Sequence, residues 1–182
     1  MTREISSQNW VKEVDDYIKS GTHGILWSIQ DRPVVLIYRK GQVDESVCDE
    51  MGYNIYELFY NGGTIISNGG DVGMAHFGEV NNDWCKRFAE HFTKWLKNKG
   101  LNAEITKNDI LVDGYKVVAM CVTRYGRIDY TCIHIGINTD IEAIKRICKK
   151  PMVKVPKGLS EYGITTEEVK EMFLDFCGQF ED

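Results

Sequence analysis

The sequence predicts an α+β fold in which a mixed, largely antiparallel sheet packs against helices. Two observations predict this fold. Short apolar segments follow one another with only brief turns between them, and such turns join antiparallel strands, whereas parallel strands need a long crossover. Longer segments with apolar residues every three or four positions, typical of amphipathic helices, are interspersed among them. We expect one domain over residues 1–182, because this length suffices for one sizeable core and is short for two.

The individual elements follow from apolar spacing and from turn and capping residues. The predicted helices are Trp10–Ile18, Asp44–Met51, Asn82 or Asp83 to about Lys99, Asp140–Cys148, and Thr165 to about Phe176. The predicted strands are Gly24–Ile29, Val34–Tyr38, Asn54–Tyr60, Thr64–Ser67, Val72–Phe77, Ile110–Val112, Lys116–Thr123 and Ile128–Ile137. The Asp113-Gly114 pair predicts a tight hairpin between two of these strands.

Composition narrows the function. The formal charge of −5 argues against general nucleic-acid binding, which needs a basic surface. No apolar run approaches the roughly 20 residues that cross a bilayer, and the N-terminus lacks the apolar segment of a secretory signal, so we expect a cytoplasmic protein. The six cysteines form no CxxC pair and lack zinc-ligand spacing. The lysine-rich stretch 145–157 contains no acid; it indicates either a solvated face or a docking surface for an acidic partner or a nucleotide phosphate.

Three segments together resemble one protein family. They are the glycine-rich stretch Gly62–Ser67, the hairpin Asn108–Lys116, and the strand end Gly136–Asp140. The hairpin resembles the Asn-Asp-(Ile/Leu)-x-Val-x-Gly-x-Lys sequence of biotin protein ligases, lipoate–protein ligases and octanoyltransferases almost position for position. The likeness covers about residues 10–176 and implies the catalytic-domain fold that these enzymes share with class II synthetases.

The resemblance implies roles for particular residues. Family members activate a small carboxylic acid with ATP as an acyl-adenylate and transfer the acyl group to a lysine of an acceptor domain. Lys116 would hold the acyl carboxylate and the α-phosphate. Asn108 and Asp109 would contact the nucleotide, with Asp109 also holding Mg²⁺. The acyl group would be bound by residues of three segments: Asn61, Gly62, Gly63, Thr64, His134, Gly136 and Asn138.

The sequence also departs from the family pattern. Glu57-Leu58 stands where lipoate ligases have Arg-Arg, and Asn61 replaces the first of three loop glycines. An acid in place of an arginine weakens phosphate binding. Lys157 occupies the position of the octanoyltransferase cysteine, and lysine cannot form a thioester.

Three hypotheses therefore stand. The first is an acyl-transferring enzyme that acts on lipoate, octanoate or biotin. The second is a binding or interaction module that kept the fold without the chemistry, which the changed loop from Glu57 to Asn61 favours. The third is a related fold used for another nucleotide-dependent reaction.

Overall fold

The computed structural model describes residues 1–58 and 63–179. Within these ranges the strands are β1 (Thr2–Glu4), β2 (Gly24–Ile29), β3 (Val34–Ile37), β4 (Asn54–Glu57), β5 (Ile65–Ser67), β6 (Val72–Glu79), β7 (Ala103–Ile105), β8 (Asp109–Val112), β9 (Tyr115–Tyr125) and β10 (Ile128–Ile135). The helices are α1 (Trp10–Ser20), α2 (Glu45–Glu50), α3 (Trp84–Asn98), α4 (Ile141–Ile147) and α5 (Thr166–Gly178), with 3-10 turns at Ser7–Asn9 and Leu159–Tyr162.

The described strands form two sheets. The larger has the order β1-β2-β6-β10-β9-β8-β7, and all its neighbours are antiparallel except β1 and β2. The smaller has the order β4-β3-β5, with β3 parallel to β4 and antiparallel to β5. The predicted fold class, a mixed and largely antiparallel sheet with helices, is thereby confirmed. That the strands divide between two sheets was not evident from the sequence, because pairing partners are chosen by contacts distant in the chain.

Both faces of the large sheet are buried, since side chains alternate between the faces along each strand. On one face, Ile133 and Ile135 of β10 pack with the aromatic residues of α3 and α5. On the other face, Tyr130 and Cys132 of the same strand pack with α1 and with side chains of the small sheet. The outer face of the small sheet is covered by α2 and α4. The small sheet is therefore a separate layer, and a cavity lies between it and the large sheet.

Most predicted elements are present with shifted ends. The predicted strand Lys116–Thr123 extends over Tyr115–Tyr125, and Val72–Phe77 continues to Glu79. The predicted strand Asn54–Tyr60 ends at Glu57, before Leu58, and positions 59 and 60 lie outside the described residues.

Two short edge strands, Thr2–Glu4 and Ala103–Ile105, were missed. Each strand has only three residues, which is too short for an alternating apolar pattern to be recognised. Their strand conformation comes from pairing with β2 and β8.

Candidate active site

A cavity of about 370 Å³ lies between β5 of the small sheet, the strands β8 to β10 of the large sheet, and the segment that follows α4. Its walls are mainly aliphatic, with a few polar groups. The residues that line it are Thr64, Ile65, Ile66, Asp109, Lys116, Val117, Val118, Ala119, His134, Gly136, Thr139, Ile144, Cys148, Met152, Val153, Lys154 and Pro156. An apolar space with few polar groups is typical of a small-molecule site.

Strand register arranges the floor of this cavity. Asp109 pairs with Ala119, and Ala119 pairs with His134, so the three residues form a row across β8, β9 and β10. Directly paired residues share a face of the sheet, and two strand spacings separate the ends of the row by roughly 10 Å. The small side chain of Ala119 between two polar ends leaves room for an elongated ligand.

Charged groups converge at the Asp109 end of the row. The Lys116 Nζ lies 4.0 Å from Asp109 Oδ1, and the Lys154 Nζ lies 2.6 Å from Asp109 Oδ2. Lys154 also donates to Thr106 Oγ1 at 2.8 Å. The hairpin prediction accounts for this placement of Lys116, because Asp113 and Gly114 adopt the left-handed conformation (φ of 51° and 83°) that a two-residue turn requires.

His134 occupies the other end of the row and contacts a buried carboxylate. Its Nε2 lies 3.3 Å from Asp71 Oδ2 and 3.1 Å from Ser67 Oγ. Burial opposes ionisation of Asp71, but the hydrogen bond and charge of His134, with the amides of Asn68 and Asn138, outweigh it and lower the pKa of Asp71. The described part of the site thus holds an ionised carboxylate that fixes the histidine ring.

Gly136 and Asn138 differ in their relation to the cavity. Gly136 lines it, and a Cβ there would lie 2.8 Å from Thr139 Oγ1. Asn138 is exposed and is not one of the lining residues; its Nδ2 donates to the carbonyl of Gly69 at 2.7 Å. The side chain of Asn138 therefore braces the turn before β6 and does not face the acyl space.

Asn108 also lies outside the lining. It is exposed, and its carbonyl accepts a hydrogen bond from the Met120 amide at 2.7 Å. This bond fixes the start of β8 against β9 and so positions Asp109. Of the two residues predicted to contact the nucleotide, only Asp109 lines the cavity, and the backbone of Asn108 holds Asp109 in position.

The glycine-rich loop is described only in part. Asn61 and Gly62 lie outside the described residues, Gly63 is exposed, and Thr64 lines the cavity. Glu57 lies 3.7 Å from the ammonium of Lys40, and Leu58 is 1% exposed within the core. Neither residue is among those that line the cavity. The positions that hold arginines in lipoate ligases thus have other contacts here.

Cys148, at the end of α4, lines the cavity, and sequence reasoning did not single it out. Burial raises the pKa of its thiol, and the opposing charge of Lys116 does not reverse the shift. A thiol with a raised pKa is a poor nucleophile.

Lys157, at the position of the octanoyltransferase cysteine, packs its ammonium over the rings of Tyr162 and Tyr115 at 4.5 and 5.3 Å. Neither Cys148 nor Lys157 supports a cysteine relay.

Lys154 was not predicted individually, although it belongs to the lysine-rich stretch 145–157. Its position depends on backbone pairing with β9, which no local pattern reveals.

In the described part of the chain, no group of three His, Cys, Asp or Glu residues could hold a metal ion. None of the helices described here is long and apolar enough to span a bilayer.

Solved structures share this architecture. The chain superposes on the bi-partite lipoate protein ligase of Thermoplasma acidophilum with a TM-score of 0.79, at 13% identity, covering 96% of this chain and 80% of that one. For a lipoate-protein ligase A bound with ATP the TM-score is 0.78, at 14% identity, with 94% and 80% covered. For the Aquifex aeolicus biotin protein ligase with biotin and ATP it is 0.56, at 13% identity, with 96% and 65% covered. The fold is that of the lipoate and biotin protein ligases.

The family follows from the sequence model of the lipoyl protein ligase A/B catalytic domain, which matches residues 10–176. The chain belongs to this family. No curated protein sequence matches it significantly.

Proposed function

We propose that this protein binds a lipoate- or octanoate-class carboxylic acid in the cavity, activates it with ATP as an acyl-adenylate, and transfers the acyl group to a lysine of an acceptor domain. One observation carries the proposal: the ammonium of Lys116 lies in a cavity with mainly aliphatic walls, beside the Asp109 end of the row that runs to His134. Family membership supports it, as do a relative's structure with bound lipoic acid and another with ATP.

The geometry suits a ligand with one charged end. The aliphatic walls around Ala119 would bind a hydrocarbon chain through burial of apolar surface. Lys116 would bind the carboxylate by a charge-assisted hydrogen bond, which is about twice as strong as a neutral one. The chain would then extend along the row toward His134. Lys116 is 33% exposed and Asp109 is 15% exposed, so water screens these interactions less than it would on an open surface.

For this reaction the protein mainly has to position the two reactants and supply positive charge beside them. ATP would supply the adenylyl group, and a carboxylate oxygen would bond to its α-phosphorus as the bond to pyrophosphate breaks. A fixed ammonium at Lys116 would orient the two anionic reactants and stabilise the negative charge of the transition state without reorganising. In acyl transfer the acceptor lysine amine would bond to the activated carbonyl and lose a proton as AMP leaves. The lining residue Val153 is 98% exposed, so the cavity can be reached from solvent.

A lipoate or octanoate ligand is favoured over biotin. The matching family model is the lipoyl one, and the TM-scores of 0.79 and 0.78 to the two lipoate ligases exceed the 0.56 to the biotin ligase. His134 lines the cavity, so its ring takes up part of the space. The fused rings of biotin would need more width there than an octanoyl chain or the single dithiolane ring of lipoate.

The second candidate function is a binding module without transfer activity. The contacts of Glu57 and Leu58 favour it, since Glu57 pairs with Lys40 and Leu58 is buried, so neither faces the cavity. Such a module would bind the acid and fail to react with ATP. The two functions therefore make the same prediction for ligand binding and opposite predictions for nucleotide chemistry.

Binding of the acid is tested by isothermal titration calorimetry with lipoate, octanoate and biotin. We expect lipoate or octanoate to bind, and Lys116→Ala to weaken binding by about 10-fold or more, since a hydrogen bond to a charged group contributes roughly 1.5–3 kcal/mol. Lys107→Ala is the matched control, because Lys107 is an exposed lysine near the same hairpin that does not line the cavity. Equal affinity of Lys116→Ala and the unaltered protein would contradict the proposal.

A further inference from the structure

The segment after α4 is fixed to the strand that carries Lys116. The Lys116 amide donates to the carbonyl of Val155 at 2.9 Å, and the Lys157 amide donates to the carbonyl of Lys116 at 3.0 Å. These bonds pair Lys116 with Pro156 in a parallel bridge. Lys154 is therefore held in register with Lys116, so the two ammonium groups reach the same cavity from adjacent backbones.

The side chain of Lys154 is oriented by two acceptors. Its Nζ lies 2.6 Å from Asp109 Oδ2 and 2.8 Å from Thr106 Oγ1. An ammonium has three donors, so one remains for a ligand. Lys154 is 33% exposed, as is Lys116, so both groups are partly shielded from water.

The charge of this cluster determines what it can bind. Lys116 and Asp109 alone would cancel, leaving no net attraction for an anion. With Lys154 the three side chains carry a net charge of +1. This charge complements a ligand with a single negative charge, such as a carboxylate or the phosphate of an acyl-adenylate.

The same contacts bear on the magnesium ion that the resemblance implies at Asp109. Mg²⁺ needs near-octahedral oxygen ligands at about 2.0–2.1 Å. Asp109 is the one carboxylate among the described lining residues, and both its oxygens face ammonium groups. The donor set that the structure describes therefore does not fit a divalent cation at this position, and we assign no step to one.

We propose that Lys154 is a second anion-binding residue of the cavity, which supplies at Asp109 the positive charge that the resemblance assigns to Mg²⁺. This inference rests on the proposed function, because the anion is the carboxylate or acyl-adenylate of that reaction.

The test uses the full-length protein and a non-hydrolysable acyl-adenylate analogue, octanoyl-sulfamoyl-adenosine, in calorimetric titrations with EDTA and with Mg²⁺. The unaltered protein should bind the analogue with the same Kd in both buffers. Lys154→Met should weaken binding by about 10-fold or more, as expected for loss of a charge-assisted hydrogen bond, and Lys154→Arg should retain most of the affinity. Lys150→Met is the control, because Lys150 is exposed and does not line the cavity.

Two results would overturn the inference alone: Lys154→Met binding the analogue as tightly as the unaltered protein, or the unaltered protein losing 10-fold or more of its affinity in EDTA. Failure of the unaltered protein to bind the analogue in either buffer would instead overturn the proposed function. If Lys154→Met does not fold, as judged by circular dichroism, the comparison of Lys154→Arg in EDTA and Mg²⁺ decides: equal affinities support the inference, and a Mg²⁺ requirement contradicts it.

Discussion

At the scale of single residues, Asp71 organises much of the site without lining the cavity. Its Oδ1 accepts hydrogen bonds from the amides of Ile137 and Asn138 at 2.7 and 3.0 Å, and its Oδ2 accepts one from Asn68 at 2.7 Å. The carboxylate is 1% exposed. It therefore connects the turn before β6 to the chain after β10, and its contact with Nε2 fixes the ring of His134.

The substitution Asp71→Asn should be strongly destabilising. An amide keeps the shape but replaces one acceptor oxygen by a donor, which would oppose the Asn68 amide and leave His134 without its anion. We expect a loss of roughly 2–4 kcal/mol in the free energy of unfolding, measured with urea at pH 7. Asp113→Asn in the exposed hairpin turn is the control, because asparagine tolerates its positive φ. A change within about 0.5 kcal/mol for Asp71→Asn, typical of surface substitutions, would contradict this role.

The structure brings predicted site residues together where their positions depend on local contacts. Asp109 and Lys116 belong to one hairpin, whose two-residue turn brings its strands together, and both line the cavity; their roles there stay predictions. Asn138 was predicted to bind the acyl group, but it points to Gly69, a contact between residues far apart in the chain. Lys154 was missed for the same reason, since its partner Asp109 lies 45 positions earlier.

At the scale of elements, α5 begins with a complete capping box. The Thr165 side chain accepts from the Glu168 amide, and the Glu168 side chain accepts from the Thr165 amide. Glu168 also pairs with Lys99 at 2.6 Å, which connects the start of α5 to the end of α3. The hydrogen bond from Lys99, followed by those from Thr165, lowers the pKa of Glu168 to about 2.

This shift predicts a pH dependence of stability. Because the pKa of Glu168 is lower in the folded state, its contribution is complete above pH 4.5 and is lost as the pH falls toward 2. The stability difference between the unaltered protein and Glu168→Gln should therefore shrink at pH 3 to roughly half or less of its value at pH 7.

Urea unfolding of both proteins at the two pH values measures this difference. Glu171→Gln, an exposed glutamate on the same helix, serves as the control and should show little change with pH. A difference for Glu168→Gln that is equal at pH 7 and pH 3 would show that the carboxylate is not stabilised in the folded state.

The elements themselves were predictable where their pattern is long. The bounds of α3 were predicted to within one or two residues from apolar residues at helical spacing, namely Trp84, Phe88, Phe92 and Trp95. The observed helix is Trp84–Asn98. The capping-box sequence gave the start of α5. Three-residue edge strands carry too few positions for a period to appear, so β1 and β7 could be found only from their neighbours in the sheet.

At the scale of the whole molecule, the cavity exists because the strands divide into two sheets. The large sheet supplies Asp109, Lys116 and His134, and the small sheet closes the space with Ile65 and Ile66. A single sheet would have left the polar row open to solvent. The sequence predicted the fold class, but neither the row of polar residues nor the layer that covers it. The row depends on the register of three strands, and the layer depends on β3 and β5, which pair across a long stretch of chain.

The fold as a whole resembles that of lipoate ligases, which favours activity. Single residues at positions 57 and 58 depart from the lipoate ligases, which argues against it. The fold and family support acyl activation. The arginines that the resemblance places at positions 57 and 58 are absent: Glu57 pairs with Lys40 and Leu58 is buried, while the positive charges at the cavity are those of Lys116 and Lys154 beside Asp109. We expect the acid to be activated, because the net positive cluster of Asp109, Lys116 and Lys154 can bind both the carboxylate and the acyl-adenylate, each of which carries a single negative charge.

ATP–pyrophosphate exchange tests this central claim most directly, because only acyl-adenylate formation makes it depend on a carboxylic acid. Labelled pyrophosphate should enter ATP when lipoate or octanoate is present and not without an acid. Lys116→Ala should reduce the exchange by about 100-fold or more, the effect of removing a group that stabilises developing charge, with little change in melting temperature. No exchange with lipoate, octanoate or biotin, and no acyl-adenylate detectable by mass spectrometry, would contradict the account and leave a binding module in its place.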